Sequence, residues 1–339
     1  MADANRLDES ELEDLLSEPT DISRGGLQCV KGDVVVLGAG GKMGPTLAMM
    51  LKKADPGRNV YAVSRFSEEA VRRRIEDTGI NTVALDLLDD SAYGRLPEAP
   101  NVFYLAGMKF GATGKETLSW AMNTLLPGTV ARHYRHARIV AFSTGNVYPF
   151  TDVRSGGPTE AAAPDPVGEY AWSCLARERV FGYFSEVYGT PVALIRLNYA
   201  NEPRYGIIVD LTRKILEGRA IDLTMGYVNL IWQADANNYV VAALAKTASP
   251  PTVLNVAGPQ VVSVREVAGR IAERLGRKAV FAGFEAPTAL LSDASRCFEW
   301  FGRPPTSLEK MLDVIVPWVA GGHRTLNKPT KYDVRDGKF

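Results

Sequence analysis

The sequence predicts an α/β fold in which helices cover both faces of a parallel sheet, followed by a smaller C-terminal α+β lobe. Short apolar runs such as DVVVLGAG, which begins at residue 33, are continuous rather than alternating, as is typical of strands buried on both faces. These runs alternate with helical stretches, the order that produces parallel strands. After about residue 199 the pieces become shorter and more varied, which predicts the lobe.

The predicted elements follow in order from residue 33. Strands are expected at 33–40, 59–65, 82–89, 101–107, 137–144 and 191–200, and helices at 42–54, 67–79, 115–136 and 170–189. The later elements are a helix at 206–219, a strand passing into a helix at 228–245, a strand at 252–258, and helices at 263–276 and 307–319. Ser263 and Gly276 are expected to cap the helix between them.

These elements divide the chain into four parts. Residues 1–27 form an N-terminal arm with one short helix, and residues 28–198 form the sheet domain, to which 229–257 return. Residues 199–228 and 258–320 form the smaller lobe, and 321–339 form a polar, extended C-terminal tail.

Charge and cysteine content exclude several classes of function. Lys plus Arg and Asp plus Glu each total 39, so the balanced charge gives no reason to bind nucleic acid or an anionic membrane. The three cysteines lack metal-ligand spacing and the three histidines do not converge with them, so no metal site is expected. The N-terminus lacks a signal pattern, and no apolar run reaches about 18 residues. A cytoplasmic protein with a small-molecule substrate is therefore predicted.

A glycine-rich loop follows the first strand. Gly38, Gly41 and Gly44, with Lys42 and Met43 between them, lie between a buried strand and a helix. Glycines at such a turn let the backbone approach a pyrophosphate, whose charge is stabilised by the N–H groups at the helix N-terminus. The loop therefore predicts a Rossmann-type dinucleotide-binding domain. The alternative is a tight strand–helix turn without a ligand.

The end of the second strand indicates which nucleotide is bound. An NAD site usually has Asp or Glu there to bind the ribose 2′-hydroxyl, whereas this chain has Ser64 and Arg65. A hydroxyl and a guanidinium are suited to hold a 2′-phosphate. The sequence therefore favours NADP over NAD. The alternative is that Arg65 is a solvated loop charge.

Several separate segments resemble one enzyme family. They are the G-x-x-G-x-x-G loop, LDLLD at 85–89, YLAGMKFG at 104–111, MNTLLPGT at 122–129, AFSTGNVYP at 141–149, PTEAAAPDPVGEYAWSC at 158–174, and WQADAN, LNVAG and SDASRCFEWFGRPPTSLEK in the lobe. Their order and spacing resemble the extended short-chain dehydrogenases/reductases, also called the NAD-dependent epimerase/dehydratase family. The resemblance runs from about residue 33 to 320.

This resemblance implies roles for individual residues. It implies that Asp86 and Leu87 lie at the adenine, and that Lys109 contacts the pyrophosphate. Asn123 matches the asparagine of the N-x-x-G-T-like helix motif of the family, although Gly128 lies one residue later than the glycine of that motif. The remaining cofactor contacts that the resemblance implies are Leu105, Ala106, Gly107 and Asn198. Two roles are open for Asn146, Arg196 and Asn198. They either face the substrate or satisfy backbone groups in the core.

The resemblance implies that Tyr170 moves a proton at the substrate oxygen while Thr144 binds the same oxygen. A phenol with a pKa of about 10 is a poor base at neutral pH unless a nearby cation favours the phenolate. The family places a lysine one turn after the tyrosine for this purpose, but this chain has Cys174. Three hypotheses follow: Arg177 or Lys109 supplies the charge, Tyr170 acts as a neutral acid or hydrogen-bond donor, or catalysis has been lost. A nucleophilic Cys174 is disfavoured, because a free cysteine on a helix usually packs as a small apolar residue.

The family resemblance also implies a class of reaction. Gly145 and Asn146 stand where family dehydratases carry Asp-Glu, so dehydration is not expected. An NAD(P)-dependent oxidoreductase or epimerase acting on a sugar, a sugar nucleotide or a similar polyol or carbonyl compound remains. The alternative is a non-catalytic NADP(H)-binding sensor or scaffold whose arm and tail engage a partner. The helix before Thr144 and the Tyr170 helix carry apolar stripes, which predicts the homodimer common in the family.

Overall fold

A seven-stranded parallel sheet forms the centre of the computed structural model, which describes residues 7–109 and 114–338. Its strands, labelled in chain order, are β1 (Val34–Leu37), β2 (Val60–Ser64), β3 (Asn81–Ala84), β4 (Asn101–Tyr104), β5 (Arg138–Thr144), β6 (Val192–Leu197) and β7 (Thr252–Val256). Their spatial order is β3-β2-β1-β4-β5-β6-β7, and every neighbouring pair is parallel. The strand order reverses between β1 and β4, which opens a crevice for a ligand at the carboxyl ends of these strands.

Twelve α-helices lie within the described residues. They are α1 (Glu9–Leu16), α2 (Asp21–Gln28), α3 (Gly44–Ala54), α4 (Glu69–Glu76), α5 (Glu116–Trp120), α6 (Leu126–His133), α7 (Glu169–Tyr188), α8 (Ile207–Leu216), α9 (Gln233–Ala242), α10 (Val264–Leu275), α11 (Ser295–Phe301) and α12 (Leu308–Ala320). None of them combines the length and the hydrophobicity that crossing a membrane requires.

Short two-stranded ribbons complete the smaller lobe and its junction with the sheet. They pair Thr151–Asp152 with Thr288–Ala289, Ala200–Asn201 with Ile231–Trp232, Ile221–Asp222 with Phe281–Ala282, and Tyr227–Asn229 with Val261–Ser263.

These observations confirm the predicted α/β class and its parallel sheet. The expected caps of α10 are also present, because the Ser263 hydroxyl accepts from the Glu266 N–H and Gly276 adopts a left-handed conformation. Two helices, α2 and α11, were not predicted. The predicted strand at 82–89 ends at Ala84, and the predicted helix at 115–136 contains a π-helical turn at Ala121–Leu125.

The N-terminal arm packs against the sheet domain instead of standing apart from it. Leu12 and Leu16 of α1 are fully buried, and the Asn238 side chain of α9 accepts hydrogen bonds from the Thr20 N–H and hydroxyl at 2.7 and 2.9 Å. Glu13 pairs with Arg204 of the lobe at 3.0 Å. Residues 1–6 lie outside the described residues.

The C-terminal tail is extended, as the sequence predicts, and it follows a fixed path over the lobe. The Leu326 N–H donates to the Arg204 carbonyl oxygen at 2.9 Å, and the Thr330 N–H and hydroxyl donate to the Asp210 carboxylate at 2.8 and 2.6 Å. Farther along, Gly337 packs against the backbone of Gly168, just before α7. The tail therefore reaches from the lobe to the sheet domain. Phe339 lies outside the described residues.

Candidate functional site

The glycine loop after β1 leaves room for a ligand backbone to approach. Gly38 has a φ of +90°, and a Cβ there would lie 2.6 Å from the backbone nitrogen of Ala106, so a side chain is excluded. A Cβ on Gly44 would likewise lie 2.6 Å from the Ala39 backbone, which shows how closely α3 packs on the loop. Gly38, Gly41, Met43 and Gly44 line a cleft of about 310 Å³. The loop and the N-terminus of α3 fit a dinucleotide pyrophosphate.

The residues predicted for the adenosine end lie at the ends of β2 and β3. Ser64 ends β2, and a Cβ on Gly40 would lie 2.7 Å from its hydroxyl oxygen. The Arg65 guanidinium is 71% exposed and lies 3.8 Å from an Asp86 oxygen. Asp86 also accepts from the Leu88 N–H at 3.0 Å, and Leu87 is buried beside it. The structure thus brings Ser64, Arg65 and Asp86 to one edge of the sheet.

A buried amide fixes the floor of the cleft. Asn123 lies in the π-helical turn, and its side chain accepts from the Met108 N–H at 2.8 Å and donates to the Met108 carbonyl at 2.9 Å. It also accepts from an Arg177 Nη at 2.6 Å. A Cβ on Gly107 would overlap this guanidinium, so Gly107 is required for Arg177 to lie there. Leu105 lines the same cleft, and Ala106 lies behind it against Gly38.

Tyr170 lies in the first turn of α7 and faces Thr144 at the end of β5. Its hydroxyl makes side-chain hydrogen bonds with Thr144 and Cys174. The Thr144 hydroxyl also donates to the Asn146 side-chain oxygen at 2.9 Å. Burial raises the pKa of Tyr170 well above its usual value, Cys174 raises it further, and the Arg177 charge opposes both effects. In this environment Tyr170 is a protonated phenol at neutral pH.

Cys174 is not a source of charge. Its side chain is 1% exposed and packs with Val147, Tyr148 and Leu175, behind Tyr170. Burial raises the pKa of its thiol, against the opposing effect of Arg177. Cys174 is therefore neutral at physiological pH, and it does not line the cleft among the described residues.

Arg177 is a buried cation at the base of the cleft. Its Nη atoms donate to the Phe142 carbonyl at 2.7 Å and to Asn123 at 2.6 Å, and its Nε donates to the Asn123 carbonyl at 3.3 Å. Its guanidinium lies over the Tyr104 ring, 5.6 Å from the centroid. Side chains on a helix point toward its N-terminus, so Arg177 reaches back along α7 toward Tyr170.

Two lysines line the cleft from opposite directions. Lys42 extends from the glycine loop to 3.7 Å from the centroid of the Tyr205 ring, and burial lowers its pKa to about 7. Lys109 follows β4 and lies 5.7 Å from the centroid of the Tyr170 ring. Burial lowers the pKa of Lys109 to about 8. Lys42 belongs to the glycine loop, where an anion would lie, whereas Lys109 lies beside Tyr170.

The structure gives the positions of Asn146, Arg196 and Asn198, for which the sequence leaves two roles open. Arg196 lies in the core, where it forms a two-pronged ion pair with buried Glu178, at 2.7 and 3.0 Å, and donates to Tyr148. The role in the core is therefore the one that its contacts support. Asn146 and Asn198 line the cleft, and the Asn198 amide also lies 3.4 Å from the Leu290 carbonyl.

The sequence does not indicate the part of the cleft wall that comes from the lobe and the tail. Tyr199, Tyr205, Gly206 and Ile207 line the cleft from the lobe, together with Lys328 and Thr330 from the tail. No motif marks these positions. Tyr199 has a φ of +46°, an uncommon conformation for a bulky residue that is frequent near functional sites, but backbone angles are not visible in a sequence.

The profile of the NAD dependent epimerase/dehydratase family matches residues 34–257. A comparison with curated protein sequences found no significant match.

Solved structures share the fold. A UDP-glucuronic acid 4-epimerase from Bacillus cereus in complex with NAD is 18% identical with a TM-score of 0.75, covering 86% of this chain and 100% of its own. MoeE5 in complex with UDP-glucose and NAD is 23% identical with a TM-score of 0.71, covering 86% and 99%. A double mutant of DesIV, a dTDP-glucose 4,6-dehydratase from Streptomyces venezuelae with NAD bound, is 20% identical with a TM-score of 0.74, covering 85% and 96%. At these identities the likeness concerns the fold.

Proposed function

Because the chain belongs to the NAD-dependent epimerase/dehydratase family, as its motifs indicated, we propose that it is an NAD(P)-dependent oxidoreductase or epimerase. Its substrate class in this proposal is a sugar, a sugar nucleotide or a similar polyol or carbonyl compound. The observation that carries the proposal is that Tyr170, Thr144 and Arg177 line the same cleft as the glycine loop. A bound nicotinamide nucleotide would supply hydride transfer, and the protein residues would donate or accept the proton.

Tyr170 and Thr144 are the proposed catalytic residues. Tyr170 is hydrogen-bonded with Thr144, so both hydroxyls are available to one substrate oxygen between them. Tyr170 is protonated at neutral pH, so it carries the proton that a carbonyl oxygen would need as it becomes a hydroxyl, and the Arg177 charge lowers its pKa and so favours the proton's departure. The phenolate formed by that donation would accept the hydroxyl proton in the reverse direction. Thr144 orients the substrate oxygen, and its own orientation is set by Asn146.

Arg177 is the proposed replacement for the missing lysine. A lysine at position 174 would place its ammonium beside Tyr170, and here the guanidinium of Arg177 extends back from the next turn and lowers the pKa of Tyr170. Cys174 is small enough to leave this space to Arg177. The permanent charge of a guanidinium also survives burial better than that of an ammonium, whose pKa falls when it is desolvated.

Replacing Tyr170 by Phe tests the catalytic proposal. We expect turnover to fall at least about 100-fold, because general acid–base catalysis typically contributes that much, while the Kd for NADPH stays unchanged. Turnover is measured as NAD(P)H absorbance and as product NMR on a panel of aldoses, sugar acids, polyols and nucleotide sugars. Tyr183→Phe is the matched control, because Tyr183 lies on the same helix and is 61% exposed. Full turnover by Tyr170→Phe would rule out this mechanism.

The sensor hypothesis loses its structural support. It relied on an arm and a tail available to a partner, but α1 buries Leu12 and Leu16 against the chain and the tail is bound through Thr330 to Asp210. Both segments are occupied by intramolecular contacts.

For the nucleotide we propose a preference for NADP over NAD. The support is that β2 ends in Ser64 and Arg65, and that the exposed Arg65 guanidinium is only loosely paired with Asp86, at 3.8 Å. The solved relatives named above carry NAD, so titration with NADPH and NADH is the direct test. Arg65→Gln is expected to weaken NADPH binding and to leave NADH binding unchanged.

We further propose a homodimer that functions in the cytoplasm. The support for the dimer is a set of exposed apolar side chains on α5, the π-helical turn and α7: Leu118, Trp120, Leu125, Trp172, Tyr183, Val187 and Tyr188. Leu125, at 67% exposure, is the most exposed of them. Free thiols at Cys29, Cys174 and Cys297 fit a reducing compartment. Light scattering of the wild type and of Leu125→Glu measures the proposed association.

A further inference from the structure

The C-terminal segment crosses the open side of the cleft. We call residues 324–338 the strap. Its middle is fixed to α8 of the lobe, through Thr330 to Asp210 and through Lys214 to Asp333 at 2.9 Å. Farther along, the Arg335 guanidinium donates to the Thr288 carbonyl at 2.8 Å and to its hydroxyl at 2.7 Å, and the end of the strap reaches the sheet domain, where Gly337 packs against the backbone of Gly168. The strap is thus anchored on both sides of the site.

Between the strap and the catalytic residues lies a small compartment. It opens beside the cleft, with which it shares Lys109, Asn146 and Tyr199, and its volume is about 20 Å³. Its other walls are Tyr148, Phe150, Val167 and Leu290, and the strap contributes Lys331, Tyr332, Val334 and Gly337. A space of this size holds about one small polar group. A nucleotide does not fit in it.

The charge around the compartment has one sign. The described residues that line the cleft and the compartment include Lys42, Lys109, Arg177, Lys328 and Lys331, and no Asp or Glu. The nearest carboxylates are engaged elsewhere, Asp210 with Thr330 and Glu202 with Arg204 at 3.1 Å. Beyond the effect of burial, Asp210 raises the pKa of Lys109 and Lys331 lowers it, while Glu202 raises the pKa of Lys42 and Lys328 lowers it. The side chains that line the space itself carry only positive charge, which favours an anion there.

The cations divide between two ligands. Lys42 belongs to the glycine loop and is placed for the cofactor pyrophosphate. Lys109 and Lys331 line the compartment together with Asn146, and the Lys331 ammonium donates to the Lys338 carbonyl at 3.4 Å. The buried hydroxyl of Tyr332, another residue of this wall, has no hydrogen-bond partner among the described residues, and a polar ligand group would satisfy it.

We propose that the strap forms one wall of the substrate site and selects a small substrate with a carboxylate, a hydroxy acid or sugar acid, over a nucleotide sugar. Lys331, together with Lys109, binds the carboxylate in the compartment, while the reacting carbon lies at Thr144 and Tyr170. The position of the reacting carbon rests on the proposed function. The size limit and the preference for an anion rest on the strap and its lysines.

The test is binding and turnover by the full chain loaded with NADPH or NADP⁺. The probes are D-gluconate and D-glucuronate, their neutral counterparts D-glucitol and D-glucose, and UDP-glucose and UDP-glucuronate. We expect each acid to bind at least about tenfold more tightly than its neutral counterpart, because a charge-assisted contact is lost in the latter. No UDP-sugar is expected to bind measurably.

Lys331→Gln tests the role of the strap. We expect a loss of acid affinity of at least about tenfold, with unchanged affinity for the neutral probes and for NADPH. Lys338→Gln is the matched control, because Lys338 is on the same strap but pairs with Asp336 at 3.4 Å outside the compartment. Lys328→Gln is the second variant and is expected to weaken acid binding less, since Lys328 lines the cleft rather than the compartment.

The outcomes separate this inference from the proposed function. Acid binding without turnover of any probe would leave the inference standing and remove the proposed function. Turnover or tight binding of a UDP-sugar would overturn the inference and leave the proposed function standing. Failure of both acids to bind at 10 mM (about the weakest affinity expected for a specific small ligand) would also overturn the inference, as would equal effects of Lys331→Gln and Lys338→Gln.

Discussion

The cofactor half and the substrate half of the cleft are built in different ways. The cofactor half comes from the carboxyl ends of β1, β2 and β4 and the loops that follow them, so its shape depends on strands fixed in one sheet. The substrate half combines Asn146, the lobe at Tyr199 and Tyr205, and the strap at Lys328 and Lys331. Substitutions in the cofactor half should therefore damage the fold and nucleotide binding together. Substitutions in the substrate half should change substrate binding with smaller effects on stability.

The largest effect is expected for Gly38→Ala. A Cβ there would lie 2.6 Å from the backbone nitrogen of Ala106, in the segment that follows β4. Gly38 itself has a φ of +90°. We expect the free energy of unfolding to fall by about 3 kcal/mol and NADPH binding to be lost, because strain and overlap act on the same turn. Urea unfolding and fluorescence titration measure both. Gly269→Ala, within α10 with nothing within 4 Å of the new Cβ, should be neutral or stabilising by up to about 1 kcal/mol.

Arg177→Met should have the next largest effect. Losing the guanidinium leaves the Phe142 carbonyl and the Asn123 side chain without its hydrogen bonds, so we expect a destabilisation of about 3 kcal/mol. Turnover should also fall about 100-fold, and the pKa of Tyr170 in the pH–rate profile should rise, since a positive charge that lowers it is gone.

Two further variants distinguish a catalytic effect of Arg177 from a structural one. Arg177→Lys keeps a charge with fewer donors, so it should restore part of the turnover and little of the stability. Cys174→Ala should retain turnover within about threefold, because a neutral thiol contributes no charge. A large loss of turnover in Cys174→Ala, with no change in Arg177→Met, would assign the electrostatic role to position 174 after all.

The same division explains how much the sequence could predict. The parallel sheet and the glycine loop follow from local patterns, because continuous apolar runs and a Gly-x-x-Gly-x-x-Gly turn have few other stable structures. The order of the motifs, through their resemblance to the family, also predicts that Thr144 and Tyr170 lie together in one site. The sequence of helix α2, DISRGGLQ, does not predict a helix, because it has two glycines and little helix propensity. Burial of α2 against α9 stabilises the helix despite this low propensity.

The substrate half could not be predicted in the same way. The strap residues Lys328 and Lys331 follow Tyr205 by more than 100 positions, and the polar sequence of the strap is typical of a solvated tail. Contacts such as those of Thr330 with Asp210 and of Gly337 with Gly168, which the sequence does not reveal, place the strap beside the site. The sequence leaves three hypotheses for the missing lysine, and in the first of them Arg177 or Lys109 supplies the charge. The path of the Arg177 side chain toward Tyr170 favours Arg177 for this role.

Asp210→Ala examines the anchor of the strap and should have a moderate effect. Thr330 would lose the acceptor of two hydrogen bonds, so we expect a destabilisation of about 1–2 kcal/mol and a several-fold rise in the KM for substrate. The Kd for NADPH should stay the same, because Asp210 does not contact the glycine loop. Asp336→Ala, at the exposed end of the strap, is the control. An increase in the NADPH Kd equal to that in the KM would mean that the two halves are not independent.

The smallest expected effect is the pH dependence of nucleotide binding through Lys42. In the free protein burial lowers the pKa of Lys42 to about 7, so its amine is protonated below pH 7 and increasingly neutral above it. A bound pyrophosphate favours the ammonium and raises this pKa, so binding above pH 7 takes up a proton, and affinity must fall as the pH rises. We expect the NADPH Kd to rise about threefold in total from pH 6 to pH 9, measured by titration at constant ionic strength. Lys42→Met should weaken binding at pH 6 and flatten the profile. Lys31→Met, at an exposed position before β1, should leave the profile unchanged, and an unaltered profile in Lys42→Met would show that the loop amine does not face the pyrophosphate.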